Sequence, residues 1–277
     1  MTAEGAALPP GWRLATSARS KMPPGWSTKG FTDDLFWPGD DVLASAETAV
    51  LPPGCEDSVW ILHNQYVCPA GVDPGSLAWE ENPYIYTVAP PVEFIRFRWS
   101  EVARIKGVPL RGAFWDGLEV PPCFRWEAFL GWDEAALVLP GASFVYQPKG
   151  ATIGQLEFEE LLPVLQAAAT SNRLEAVFSA VGRAEEDDIA GQVTGADGYL
   201  HRRVISFRTD DLLPALMRRD PPFETPEFWW PEDRSWLVWT DWDLLGSKVF
   251  GSKELIEALR RHPGLETLDW FPTRATS

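Results

Sequence analysis

A chain of 277 residues, 45% of them hydrophobic, is long enough for one large domain or two ordinary ones with a sizeable core. Its 40 acidic and 24 basic residues leave a net charge of −16, which argues against nucleic acid as a direct partner and for a basic protein instead. No apolar run approaches the roughly 18 residues that cross a bilayer, no charged leader precedes an apolar segment, and three cysteines fit reduced thiols, so the expectation is a cytoplasmic protein with no membrane association, no cofactor and no metal.

Residues 1–30 carry Pro9-Pro10-Gly11-Trp12 and again Pro23-Pro24-Gly25-Trp26, two turn-forming copies that read as an extended arm laid on the domain. Residues 31–150 are punctuated by Pro and Gly and predict a mostly antiparallel β region, with strands over 42–51, 58–67, 84–88, 92–99, 124–129 and 136–139. Ser100, Glu101, Val102 and Ile105 predict one short helical turn. Between Lys29 and Arg96 there is no Lys or Arg, while eleven acids occur. Asp33, Asp34, Asp40 and Asp41 fall in loops around Trp37, and these five are the candidate partner-binding residues: carboxylates to steer a basic protein, an indole to anchor it. Arg96, Arg98, Arg104, Lys106, Arg111 and Arg125 then reverse the sign and offer to neutralise some of the acids across strands.

Residues 151–277 read as a helix-richer α+β region. Phe158, Leu161, Leu162 and Leu165 predict a helix over 157–169 whose start Pro163 pushes rightward, and a second helix is expected over 173–181. The run Glu159-Glu160-Leu161-Leu162-Pro163 is echoed by Asp210-Asp211-Leu212-Leu213-Pro214, as two helix starts with acids near the N-terminus and Pro in the first turn. Between them, 185–188 is an acidic loop and 204–207 a strand. Tryptophan marks the same division: of 15, nine lie at positions 12 to 132 and six at positions 229 to 270.

The last fifty residues specify a β-hairpin-α-β unit. In the strand from 235 to 243, Trp236, Val238, Thr240 and Trp242 share one face and Leu237 and Trp239 lie on the other, so both faces are expected to be covered. Lys248, Val249 and Phe250 return as a second strand, Ser252 caps a helix with Leu255, Ile256 and Leu259 inside, and Arg260, Arg261 and His262 complement its carbonyl end. Residues 265–270 close the unit as a strand. The run Trp230-Pro231-Glu232-Asp233-Arg234-Ser235-Trp236, the Thr240-Asp241-Trp242-Asp243 strand end, a Gly-Ser pair and the Leu-Ile-x-x-Leu helix resemble a C-terminal element of small cytoplasmic proteins of high-GC actinobacteria, some of them similar to immunity proteins of toxin systems. The resemblance covers about a fifth of the chain and carries no catalytic motif.

For chemistry, the chain lacks the Gly-x-Ser-x-Gly elbow, the phosphate loop, the dinucleotide Gly-x-Gly-x-x-Gly and His-Glu-x-x-His. Cys55, His63 and Cys68 do not have zinc-ligand spacing and read as a packed set on a hairpin; His201 and His262 read as structural or surface residues. Asp241 and Asp243 admit two readings, a turn start with a cross-strand ion pair, or paired carboxylates of a hydrolase acting on a small or sugar-like substrate. The function expected is protein binding, as an immunity-type inhibitor masking a basic toxin, with the hydrolase as the alternative and a structural subunit docking through its arm as a third.

Overall fold

Short strands with alternating inward residues pair antiparallel at every contact in the computed structural model, which describes residues 13–14, 27–31, 51–69, 71, 95–107, 110, 113–115, 118–120, 142–146, 152–178, 192–194, 200–217, 224–240 and 245–269. In chain order these hold β1 (Arg13–Leu14), β2 (Ser27–Phe31), β3 (Asp57–Leu62), β4 (Gln65–Pro69), β5 (Ile95–Phe97), α1 (Trp99–Lys106), β6 (Ala113–Trp115), β7 (Leu118–Val120) and β8 (Ala142–Tyr146). There follow α2 (Gln155–Ala168), β9 (Arg173–Val177), β10 (Gln192–Thr194), β11 (Leu200–Arg208), α3 (Thr209–Leu216), β12 (Phe228–Pro231), β13 (Leu237–Trp239), β14 (Gly246–Gly251), α4 (Lys253–Arg260) and β15 (Thr267–Leu268). The protein is α+β.

Ten strands form one sheet in the order β1, β10, β11, β9, β12, β13, β14, β3, β15, with β2 also pairing to β11. A second sheet runs β5, β4, β8, and β6 pairs with β7. The large sheet draws strands from both ends of the chain: β3 lies between β14 and β15, and β1 and β2 pair with β10 and β11.

Period-two alternation divides the core into two layers. On one face Val59, Ile61, Leu174, Ile205, Trp229, Trp236, Val238 and Val249 meet Phe158, Leu161 and Leu165 of α2, Leu212 and Leu216 of α3, and Leu255, Ile256 and Leu259 of α4. On the other, Trp60, Val177, Phe228, Trp230, Leu237, Trp239 and Phe250 gather with Trp99 of α1. The neighbours Trp236 and Leu237 thus point to opposite layers, and both faces of β13 are covered, as its sequence predicts. Each fully buried large apolar side chain contributes about 1.5 to 3 kcal/mol. The rings add directional contacts: Trp229 stands edge-on to Trp236 at 5.2 Å, and Phe228 stacks on Trp239 at 6.1 Å.

The C-terminal unit folds as expected. Ser252 is the N-cap of α4, its hydroxyl accepting from Leu255 N at 3.2 Å, and Leu255, Ile256 and Leu259 are buried. Arg260 does more than complement the helix end: its guanidinium bridges Asp57 of β3 and Asp269 after β15, each at 2.8 Å. The closing strand is only two residues long. Between β12 and β13, Arg234 takes a left-handed backbone (φ 58°), unfavourable for a side chain with a Cβ. Asp233 fixes this turn by accepting from Thr170 and Ser171 on one side and Ser235 on the other. Partial burial pushes the Asp233 carboxyl up, but the hydrogen bonds of Thr170 and Ser235 outweigh it and hold the group at about 2.

Four expectations are corrected. The segment 58–67 is two strands in different sheets, broken at His63-Asn64: up to Leu62 it pairs with β14 and β15, and from Gln65 it pairs with β5 and β8. The helix expected over 173–181 is the strand β9, sandwiched between β11 and β12; Leu174 and Ala176 face the helix layer and Glu175 and Val177 the other, and this central place overrides the helix-forming Leu, Glu and Ala. Pro163 and Pro214 lie inside α2 and α3 rather than in a first turn, and α2 begins before Pro163, at Gln155. Both prolines are exposed, so the carbonyl each frees four residues back lies on the water side. The strand over 92–99 stops at Phe97, and Trp99 opens a helix of eight residues ending at Gly107, which is left-handed at φ 67°. Strands expected over 84–88, 124–129 and 136–139, nearly all of 42–51, and the loop 185–188 lie outside the described residues.

Candidate functional site

The sequence-predicted site residues Asp33, Asp34, Trp37, Asp40, Asp41, Asp241 and Asp243 lie outside the described residues. Of the Cys55, His63 and Cys68 set, Cys55 is half-buried, and burial pushes its thiol up to about 12, which keeps it protonated and unreactive at neutral pH. Among the described residues no group of three or more His, Cys, Asp or Glu side chains is placed to hold a metal.

What the fold does assemble is a polar seam where the chain leaves the large sheet for the small one. His63, Asn64 and Gln65 are all buried at the β3–β4 break. His63 Nε2 shares a 2.8 Å hydrogen bond with Ser247 Oγ of β14, and Ser247 shares another with Thr240 Oγ1. The main-chain carbonyl of His63 accepts from Trp99 Nε1 at 2.7 Å. Next to it, the amide of Asn64 donates to Oε1 of Glu157, a residue of α2 that is 1% exposed. Tyr66 of β4 and Arg96 of β5, paired across the small sheet, face the same carboxylate.

Two further buried carboxylates act as acceptors, one beside the seam and one away from it. Glu266, 5% exposed, accepts from the first two amides of α1, Trp99 N at 2.7 Å and Ser100 N at 2.8 Å, placing an anion on the positive end of the helix. Arg96 and Arg98 donate to the carbonyls of Gly264 and Pro263, tying β5 to the loop after α4. Glu175 of β9 accepts from Trp230 Nε1 at 3.0 Å in the other layer.

Burial raises the Glu157 carboxyl above its ordinary range, against the lowering pull of the Asn64 amide, its own backbone amide, the Arg96 charge and the Tyr66 hydroxyl. The Tyr66 hydroxyl is raised too, first by burial and then by Glu157. Beside the Glu157 carboxyl lies a Ser-His pair that is 0–1% exposed and joins β14 to the β3–β4 break. Gln65 is 0% exposed, and, as for the neighbouring Asn64, neither end of its side-chain amide has a hydrogen-bond partner among the described residues.

A buried amide left unpaired costs roughly 1–3 kcal/mol, so Gln65→Met, which keeps the volume and removes both polar atoms, is expected to stabilise the protein by about 1 kcal/mol. Urea denaturation with an unchanged m-value measures it; a loss of similar size would mean that the amide is satisfied in solution.

Glu157, Gln65, Ser247 and Glu266 were not singled out from sequence. One signal was available for Glu157, which precedes Leu161 and Leu165 by four and eight positions and so stands on the apolar stripe of its helix. Comparison with family models, with curated proteins and with solved structures finds no match for the chain.

Proposed function

We propose that this protein is a protein-binding module that engages a basic partner through its acidic surface, of the kind an immunity-type inhibitor uses to mask a basic toxin in the cytoplasm. The observation that carries the reading is the distribution of charge: a net −16, with eleven acids and no base between Lys29 and Arg96. The described carboxylates support it by their division of labour. Glu157, Glu175 and Glu266 are buried and hold structure together, while Glu159, Glu160, Asp210, Glu254 and Glu257 stand on the solvent side of the helices. No helix among the described residues is long and apolar enough to cross a membrane. The resemblance of the C-terminal unit to immunity-like proteins points the same way.

The test uses the purified products of the reading frames flanking its gene as probes, with association followed by interferometry at low and high salt. A basic product that binds, and whose association slows at least about tenfold at low salt when Asp33, Asp34, Asp40 and Asp41 are all changed to Lys, is the expected result. An association rate unchanged by the four reversals removes that segment from the interface. A hydrolytic activity lost on Asp241→Asn with Asp243→Asn, at unchanged melting temperature, would replace the binding reading with the hydrolase.

A further inference from the structure

We propose that Glu157 is a protonation-controlled latch between the two sheets, closed while its carboxyl carries a proton and released when it ionises. The placement makes it a joint: the residue belongs to α2, whose Phe158, Leu161 and Leu165 are fixed in the core of the large sheet, and its Oε1 accepts from the backbone of Asn64 at 2.5 Å, where the chain enters the small sheet. The two carboxyl oxygens are treated differently. Oε2 has no hydrogen-bond partner among the described residues and rests against the backbone of Gly154, so close that a Cβ at that position would sit 2.6 Å from it. Glycine at 154 is therefore a steric condition of the latch, and no water or counter-ion fits between Oε2 and that backbone.

Besides its own backbone N–H in the first turn of α2, which favours the ionised form, few groups face the carboxyl. Tyr66 and Asn64 approach from β4 and its entry, and Arg96 approaches from β5 with its guanidinium turned to Gly264 O. Its neighbour His63 is engaged by Ser247, and Glu160, one turn along α2, is exposed and meets His262 after α4 at 3.7 Å. One guanidinium shared with a carbonyl does not neutralise a dry carboxylate whose second oxygen is bare; the protonated form suits the site better. Because the folded protein holds this proton more tightly than the unfolded chain, the contribution is complete below the ordinary carboxyl value of 4.5 and is lost as pH rises through the higher folded value. Ionised, Oε2 demands water, and water reaches it only if β4 and β5 move off α2.

Hydrogen exchange as a function of pH tests this on the whole chain, with rates corrected for the intrinsic effect of hydroxide. Protection of the amides of β4 and β5 is expected to fall by as much as about tenfold per pH unit between the ordinary carboxyl value of 4.5 and the raised folded value, the slope one proton allows, and to level off above it, while β12, β13 and β14 stay protected. Glu157→Gln keeps the carbonyl that accepts from Asn64 and cannot ionise, so its profile should be flat. Tyr66→Phe removes a hydroxyl that favours the ionised form and so raises the folded value; its fall in protection should continue to higher pH than the parent's before levelling off, an arm that stands even if the Gln variant fails to fold. Identical profiles for the parent and Glu157→Gln, a Tyr66→Phe profile that does not move, or loss of protection in both sheets together would each overturn the proposal.

Discussion

Trp236→Ala is expected to lower stability by about 3 to 5 kcal/mol, the largest loss among single substitutions in the C-terminal unit. The side chain is fully buried in the helix-facing layer, edge-on to Trp229, and its removal opens a void that packed neighbours on α2 and α4 cannot close. There is a second component. Trp236 Nε1 donates at 2.8 Å to the carbonyl of Leu165, which lies in the last turn of α2, where carbonyls lack partners within the helix and where no basic side chain is present to serve them. Trp236→Phe separates the two contributions: it retains most of the packing but leaves that carbonyl unpaired, and it should cost less than the alanine. Equilibrium denaturation of both variants measures the difference; a loss below about 1 kcal/mol for the alanine would mean that the two helices settle into the void.

Glu266→Ala should be nearly as damaging, by about 2 to 4 kcal/mol, although no apolar packing is at stake. Its carboxylate accepts from both of the amides that begin α1, and the main chain of the same residue accepts from Leu62 at the end of β3. Alanine leaves the backbone contact and deletes the anion, so Trp99 N loses its acceptor in a buried place. Glu266→Gln keeps one oxygen and should recover part of the loss. The variants are compared by urea denaturation and by exchange of the Trp99 and Ser100 amides, which should be the first of α1 to lose protection.

The elements legible in sequence are those whose signals are local. Ser252, the spacing of Leu255, Ile256 and Leu259, and the alternation of Trp236 to Trp239 each report on the residue beside or one turn away, and the C-terminal unit follows from them. β9 was not legible because four of its five residues, Arg173 to Ala176, are good helix formers; only their place between β11 and β12 makes them a strand. The break between β3 and β4 falls at His63-Asn64, and two polar residues inside a β-favouring run do not reveal that the chain changes partners there, from β14 and β15 to β5 and β8. The seam was the least legible part. Glu157, Tyr66 and Arg96 come from three elements of both halves of the chain, and nothing in the residues around any one of them announces the other two.

The position of β3 also sets a timetable for synthesis. This strand is flanked on one side by β14 and on the other by β15, and Arg260 reaches back to Asp57 across 203 positions of sequence. A ribosome making the chain therefore exposes Val59, Trp60, Ile61 and Leu62, all buried in the finished fold, long before either neighbouring strand has been translated. Assembly must wait until Thr267 and Leu268 have been made, and pairings this distant are slow to find. During that delay the nascent strand presents bare amides and large apolar side chains, the kind of surface that chaperones cover and that aggregates when they do not. Yield in a host cell should thus respond to chaperone supply and translation rate more than to the melting temperature of the finished protein.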